Sequence, residues 1–94
     1  MRILWTDEAL EDLVEIVAYY YANASSSTAE SVERRIIEHV EALPPFPERI
    51  RKSDRIPGAH ELVVNRLPYV VFVKLLSEEI VVLNVVHTAR MFPR

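Results

Sequence analysis

The hydrophobic pattern of this chain changes its period partway along. From position 7, apolar residues recur at helical spacing: Leu10, Leu13, Val14, Val17 and Tyr21, with Glu8, Glu11, Asp12 and Glu15 on the opposite side. That pattern predicts an amphipathic helix over 7–23. Thr6 is its expected N-cap, and Asp7 and Glu8 fall in the first turn, where the helix dipole favours negative charge. After the polar link Ser25-Ser26-Ser27-Thr28, a second stripe of Ala29, Val32, Ile36, Val40 and Leu43 predicts a helix over 28–43. Ser27 and Glu30 fit a capping box at its start. Pro44 and Pro45 stop it, since proline lacks the N–H and restricts the residue before it.

From His60 the period shortens to two. The runs 60–65, 69–76 and 80–87 are rich in Val, Ile, Phe and Tyr, which suit a pleated, half-buried surface. The links between them are too short for parallel crossovers, so they are expected to form an antiparallel meander, joined by an edge strand over 2–5. Alternation places Tyr69, Val71, Val73 and Leu75 on one face, and Val70, Phe72 and Lys74 on the other. In the last strand it sets Ile80, Val82, Asn84 and Val86 against Val81, Leu83, Val85 and His87. Neither face is plainly polar. One is expected to pack on the helices, and the other to meet a partner or a second copy. The expected architecture is α+β: a two-layer β-α-α-β-β-β domain over 1–94, its mainly antiparallel sheet covered on one face by a helical hairpin.

Composition narrows the chemistry. The chain has 94 residues, enough for one domain, and no cysteine, which excludes disulfides, thiolate metal sites and a Cys nucleophile. Its one glycine, Gly58, excludes a glycine-rich phosphate loop, and no metal-ligand cluster is evident, so neither cofactor nor metal is expected. No signal peptide or membrane span is recognisable, and a cytoplasmic setting is the default. Charge is uneven. Residues 1–50 carry four Lys/Arg against ten Asp/Glu, whereas 51–94 carry seven against four. Arg49, Arg51, Lys52 and Arg55 lie in the basic loop expected over 44–59, within reach of the half able to meet an anion or an acidic peptide.

An ordered set of residues then resembles a known family. It comprises Trp5-x3-Ala9-x3-Leu13-x2-Ile16-x3-Tyr20, the proline stop, Arg55-Ile56-Pro57-Gly58, Glu61-Leu62-Val63-Val64, Pro68-Tyr69-Val70-Val71 and Val85-Val86-His87-x2-Arg90. Together with the element order, the set resembles the ParE/RelE superfamily of bacterial toxins, nearer the ParE branch. Two places depart from the pattern. His60 stands where arginine is common, and Thr88-Ala89-Arg90-Met91 stands where Gly-Ala-Arg-Asp is common. The resemblance implies the toxin half of a type II toxin–antitoxin pair, neutralised by a cognate antitoxin. A ParE-like member would inhibit DNA gyrase; a RelE-like member would cut mRNA on the ribosome. A homodimer or a toxin–antitoxin hetero-oligomer is the expected assembly.

Two residue sets follow from these readings. Gyrase binding is assigned to His87, Arg90, Met91 and Phe92, helped by Arg49, Arg51 and Arg55. Cleavage of mRNA would need a base, an acid and cations around the phosphate, for which His60, Arg66, His87 and Arg90 are the candidates. A third reading is a non-toxic remnant that only binds a partner. Simpler readings stand beside these. His87 is an ordinary strand-end residue, Arg90 pairs with a carboxylate such as Glu61, and His39 is a helix-edge residue without a chemical role. The tyrosine run 19–21 serves helix packing, since RNA-binding sheets carry their aromatics on strands.

Overall fold

Both helices begin at a hydroxyl that accepts a backbone N–H. In the computed structural model, which describes residues 1–90, Thr6 accepts from Ala9 at 3.1 Å and starts α1 (Asp7–Asn23). Ser25 accepts from Thr28 at 3.1 Å and starts α2 (Ser26–Glu41). The second helix therefore starts earlier than expected, and the Ser27–Glu30 box is not its cap. Among three consecutive serines, the one in extended backbone (φ −160°, ψ 165°) can aim its oxygen at the first free N–H groups.

The strands β1 (Arg2–Trp5), β2 (Arg51–Lys52), β3 (His60–Val63), β4 (Tyr69–Leu75) and β5 (Glu79–His87) form one sheet in the order β1-β5-β4-β3-β2. The meander β3–β4–β5 is antiparallel as expected, and β1 runs parallel to β5. The segment expected to be a loop over 44–59 contains a short 3-10 helix, Pro47–Arg49, and β2, which pairs Arg51 with Glu61 and Lys52 with His60. Two residues are too few for a period to register. The third strand stops at Val63, two residues short of expectation, and Arg66 turns the chain with a positive φ of 67°.

The core lies between the hairpin and one face of the sheet. On α2 the predicted stripe is buried throughout: Ala29, Val32, Ile36 and Val40, followed by Leu43. On α1 the prediction needs correcting. The inward residues are Ala9, Leu13, Ile16 and Tyr20, with Val17 beside them, whereas Leu10, Val14 and Tyr21 face outward. From the sheet, Leu62, Val64, Tyr69, Val71, Val73, Ile80, Val82 and Val85 complete the core.

Strict alternation fails once, in β5. Val73 pairs with Val82 but Phe72 pairs with Asn84, so Leu83 is an extra residue in a bulge. Past the bulge the phase flips, and Val85 rather than Asn84 joins Ile80 and Val82 in the core. The first turns of α1 collect the backbone groups there. The Thr6 hydroxyl accepts the Ala9 N–H and donates to the Leu83 carbonyl at 3.0 Å, and Asp12 accepts the Val85 N–H at 2.9 Å.

The second face of the sheet is not left bare at its centre. Val70 and Phe72 are 4% and 3% exposed within the monomer. Glu61, the cross-strand partner of Phe72, is buried too, with Ser53 of the β2–β3 loop donating to its carboxylate at 2.8 Å. That loop doubles back through Ser53 N–H to the Ala59 carbonyl. The most exposed apolar side chains on this face are Val63 and Leu4 at its margins, and Val81 and Val86 of β5 are half-buried. No helix among the described residues is long and apolar enough to cross a membrane.

Candidate functional site

The end of β5 is where sequence reasoning concentrated its candidates. Val85 and His87 follow the bulge, so their orientation depends on it. His87 sits opposite Tyr69, their rings edge to face with centroids 5.4 Å apart. The Ala89 N–H donates to His87 Nδ1 at 3.1 Å, which leaves the ring proton on Nε2. Residues Thr88–Arg90 form a 3-10 turn, and Thr88 N–H donates to the Pro68 carbonyl at 2.8 Å. This bond ties the end of β5 to the β3–β4 turn that holds Arg66. Arg66 and Arg90 are both exposed.

Beside this end lies a cleft of about 630 Å³ between α1 and β5, lined among others by Asp12, Glu15, Tyr19, Tyr20, Tyr69 and Arg90. Tyr69 forms its floor. Burial pushes the Tyr69 phenol well above the usual tyrosine range, and its bond to the Tyr20 hydroxyl at 3.5 Å pushes the same way. Arg90 pulls weakly in the opposite direction. A phenol so held is a neutral hydrogen-bonding group, not a base.

A second polar cluster surrounds Glu61. Its side chain is 2% exposed, 3.0 Å from Arg51 and hydrogen-bonded to Ser53. Burial alone would raise the Glu61 carboxyl, but the bonds from Ser53 and Arg51 and the charges of Arg51 and Arg55 outweigh it. The group is held below the ordinary carboxylate range. The same pairing raises Arg51 further. Glu61 is therefore matched with Arg51, not with Arg90 as the simple pairing expectation had it.

The register decides which candidates meet. His87 and Arg90 both line the cleft between α1 and β5, whereas Arg66 lines a separate hollow with Ser31 and Arg35 of α2. His60 does not join them: it lies opposite Val73, while His87 lies opposite Tyr69. Four residues along β4 amount to about 13 Å, before the width of two strand spacings is added. His60 also shares the helix-facing side of β3 with Leu62 and Val64, and its buried Nδ1 has no hydrogen-bond partner. The nuclease quartet is thus split. Arg51 and Arg55 surround Glu61, and Arg49 donates to the Ala42 carbonyl at the end of α2 at 3.0 Å. Met91 and Phe92 lie outside the described residues. Of the strand aromatics, Tyr69 and Phe72 are buried and Trp5 of β1 packs against the core, so they offer no stacking platform for bases.

Three residues with defined roles escaped the sequence reading. Asp12 had been placed on a solvent face and Glu61 was only a possible partner for Arg90. His39 had been given no role, yet its Nε2 accepts the Asn65 N–H at 3.1 Å while Nδ1 lies 2.7 Å from the Arg35 carbonyl. The available signal was a glutamate at the head of an apolar strand run, with Arg51 and Arg55 shortly before it.

Comparison with known proteins places this geometry in context. A family model described as "ParE toxin of type II toxin-antitoxin system, parDE" matches residues 3–92. A relative named "Putative toxin Y4kP", from Sinorhizobium fredii (strain NBRC 101917 / NGR234), is 34% identical over 93 residues, 99% of this chain and 94% of that protein. A solved structure titled "Chromosomal ParDE TA system from P. aeruginosa" superposes with a TM-score of 0.84 at 26% identity, covering 93% of this chain and 95% of that one.

Proposed function

The chain belongs to the ParE toxin family of type II toxin–antitoxin systems, and from that premise we propose that it arrests growth by inhibiting DNA gyrase in the cytoplasm. A cognate antitoxin would hold it inactive. The working surface is the end of β5 and the turn after it, with His87 and Arg90 as the contact residues. Met91 and Phe92, which lie outside the described residues, are assigned to the same target contact, and Arg49, Arg51 and Arg55 supply supporting positive charge. Arg51 is mostly committed to Glu61, so its part is the smaller one.

The observation that carries this reading is the pairing of a whole-length family match with the register of β4. The register keeps His87 and Arg90 together at a strand end, as a binding surface needs. It separates His60 from them, as an acid–base pair around one phosphate cannot tolerate. The antitoxin reading is supported by the likeness to a chain from a ParDE system. The test is a gyrase supercoiling assay with purified chain. Inhibition relieved by Arg90→Glu is expected. No inhibition at high molar excess would remove the gyrase target, and mRNA cleavage in a translation extract would replace it.

A further inference from the structure

We propose that the groove between α2 and the β3–β4 turn binds the phosphate backbone of a nucleic-acid duplex. Two hollows, of about 630 and 270 Å³, share Ser31 and Arg35 in their walls and so form one continuous groove. Arg34 and Arg49 also line the larger hollow, and Arg66 the smaller. All four arginines are exposed, and among the described residues Arg34, Arg35 and Arg66 form no ion pair. Arg49 donates to the Ala42 carbonyl at 3.0 Å, which holds it at the rim and leaves its other N–H groups to point elsewhere. Carboxylates are kept away. Among the described residues lining the groove, Glu38 is the one acid. The other glutamates of α2, Glu30, Glu33 and Glu41, lie about 120–160° around the helix from Arg35.

The walls select the ligand. Guanidinium forks match the oxygens of a phosphate, and the hydroxyls of Ser27, Thr28 and Ser31 with the Asn65 amide complete a donor set typical of backbone contacts. Among the described residues the His39 ring is the one aromatic group lining the groove. Its nitrogens are already engaged with the Arg35 carbonyl and the Asn65 N–H. Unpaired bases therefore find no faces to stack on, and a peptide finds no large aromatic anchor. A duplex, whose bases stack on one another, needs neither. The His39 clasp also sets the spacing of α2 and the turn before any ligand arrives. From Thr28 to Ala42 the α2 wall runs for about 20 Å, the rise of about six phosphates along one strand of a duplex. The groove is distinct from the cleft of His87 and Arg90, and its chemistry does not depend on the gyrase reading above.

The test titrates the intact chain into a dye-labelled DNA duplex of about 20 base pairs and follows anisotropy between about 50 and 200 mM salt. A dissociation constant of about 10⁻⁶–10⁻⁴ M is expected, with a log–log salt slope of about −3 to −4 for four phosphate contacts. Arg35→Ala with Arg66→Ala should weaken binding about tenfold or more and reduce the slope by about two. Lys52→Ala with Lys74→Ala, both outside the groove, should leave the slope unchanged. All four positions are exposed, so thermal unfolding should stay the same in both variants. Amide shifts on adding duplex should fall at residues 31, 35, 65 and 66. No binding at the lowest salt, equal losses from the arginine and lysine pairs, or shifts confined to His87 and Arg90 would overturn the proposal. So would tighter binding of a single strand of the same length, or of a poly-glutamate peptide, which would make an acidic polypeptide the occupant. Growth arrest and supercoiling are not read here, so failure of the groove and failure of the toxin reading are separate results.

Discussion

The Asp12 carboxylate of α1 accepts the backbone N–H of Val85 in β5 at 2.9 Å, across 73 residues of chain. The Asn84 side-chain amide lies 3.4 Å from the same oxygen. Together with the Thr6 bond to Leu83, this contact spans the β-bulge and fixes the rotation of α1 about its axis. Asp12→Ala would leave a half-buried N–H without a partner and should cost about 1–3 kcal/mol. Chemical denaturation measures that loss, and amide exchange at Val85 should accelerate more than at Val71. Unchanged exchange at Val85 would show that the bond carries no weight.

Glu61 supplies an acid-sensitive part of the stability. Its folded pKa is depressed, because the bonds from Ser53 and Arg51 outweigh the burial that opposes them. The contribution is therefore present above the unfolded glutamate value of about 4.3 and disappears as pH falls through the lower, folded value. At neutral pH Glu61→Gln should destabilise by about 1–2 kcal/mol, a figure kept low because Arg51 is largely in water. The gap between wild type and variant should close as pH drops below about 4. Parallel curves across that range would contradict this assignment.

Tyr69 acts at the other end of the pH scale. Burial and the Tyr20 hydroxyl raise its folded pKa, so the contribution is present below the unfolded tyrosine value of about 10 and is lost as pH rises beyond it. Absorbance titration near 295 nm should show one tyrosine ionising only as the chain unfolds, and Tyr69→Phe should remove that lag. At pH 7 the same variant should stay within about 1 kcal/mol of wild type. The hydroxyl bond, at 3.5 Å, is at the limit of useful geometry.

His39 clasps α2 to the start of the β3–β4 turn through Asn65. Its Nδ1 faces the Arg35 carbonyl, so the proton sits there and Nε2 is the acceptor. His39→Ala should cost about 1 kcal/mol and raise amide exchange at Asn65. Gln, which also offers an acceptor, should recover part of the loss if the hydrogen bond matters more than the ring. Equal losses for Ala and Gln would assign the effect to packing instead.

By itself the sequence determined the order of the two helices and four of the five strands, the α2 core stripe and the faces of β4. Each of these is a repeat long enough for its period to be unambiguous. The Thr6 cap is likewise local, because the N–H it satisfies is three residues away. Tertiary structure alone decided which of two apolar stripes on α1 turns inward and where β5 changes phase. It also decided that Glu61 belongs to Arg51 and that His60 stands apart from His87. Those outcomes hang on contacts between residues distant in the chain, such as Asp12 with Val85. A one-residue bulge inverts every side chain beyond it, and no periodicity in the sequence marks where that residue is inserted.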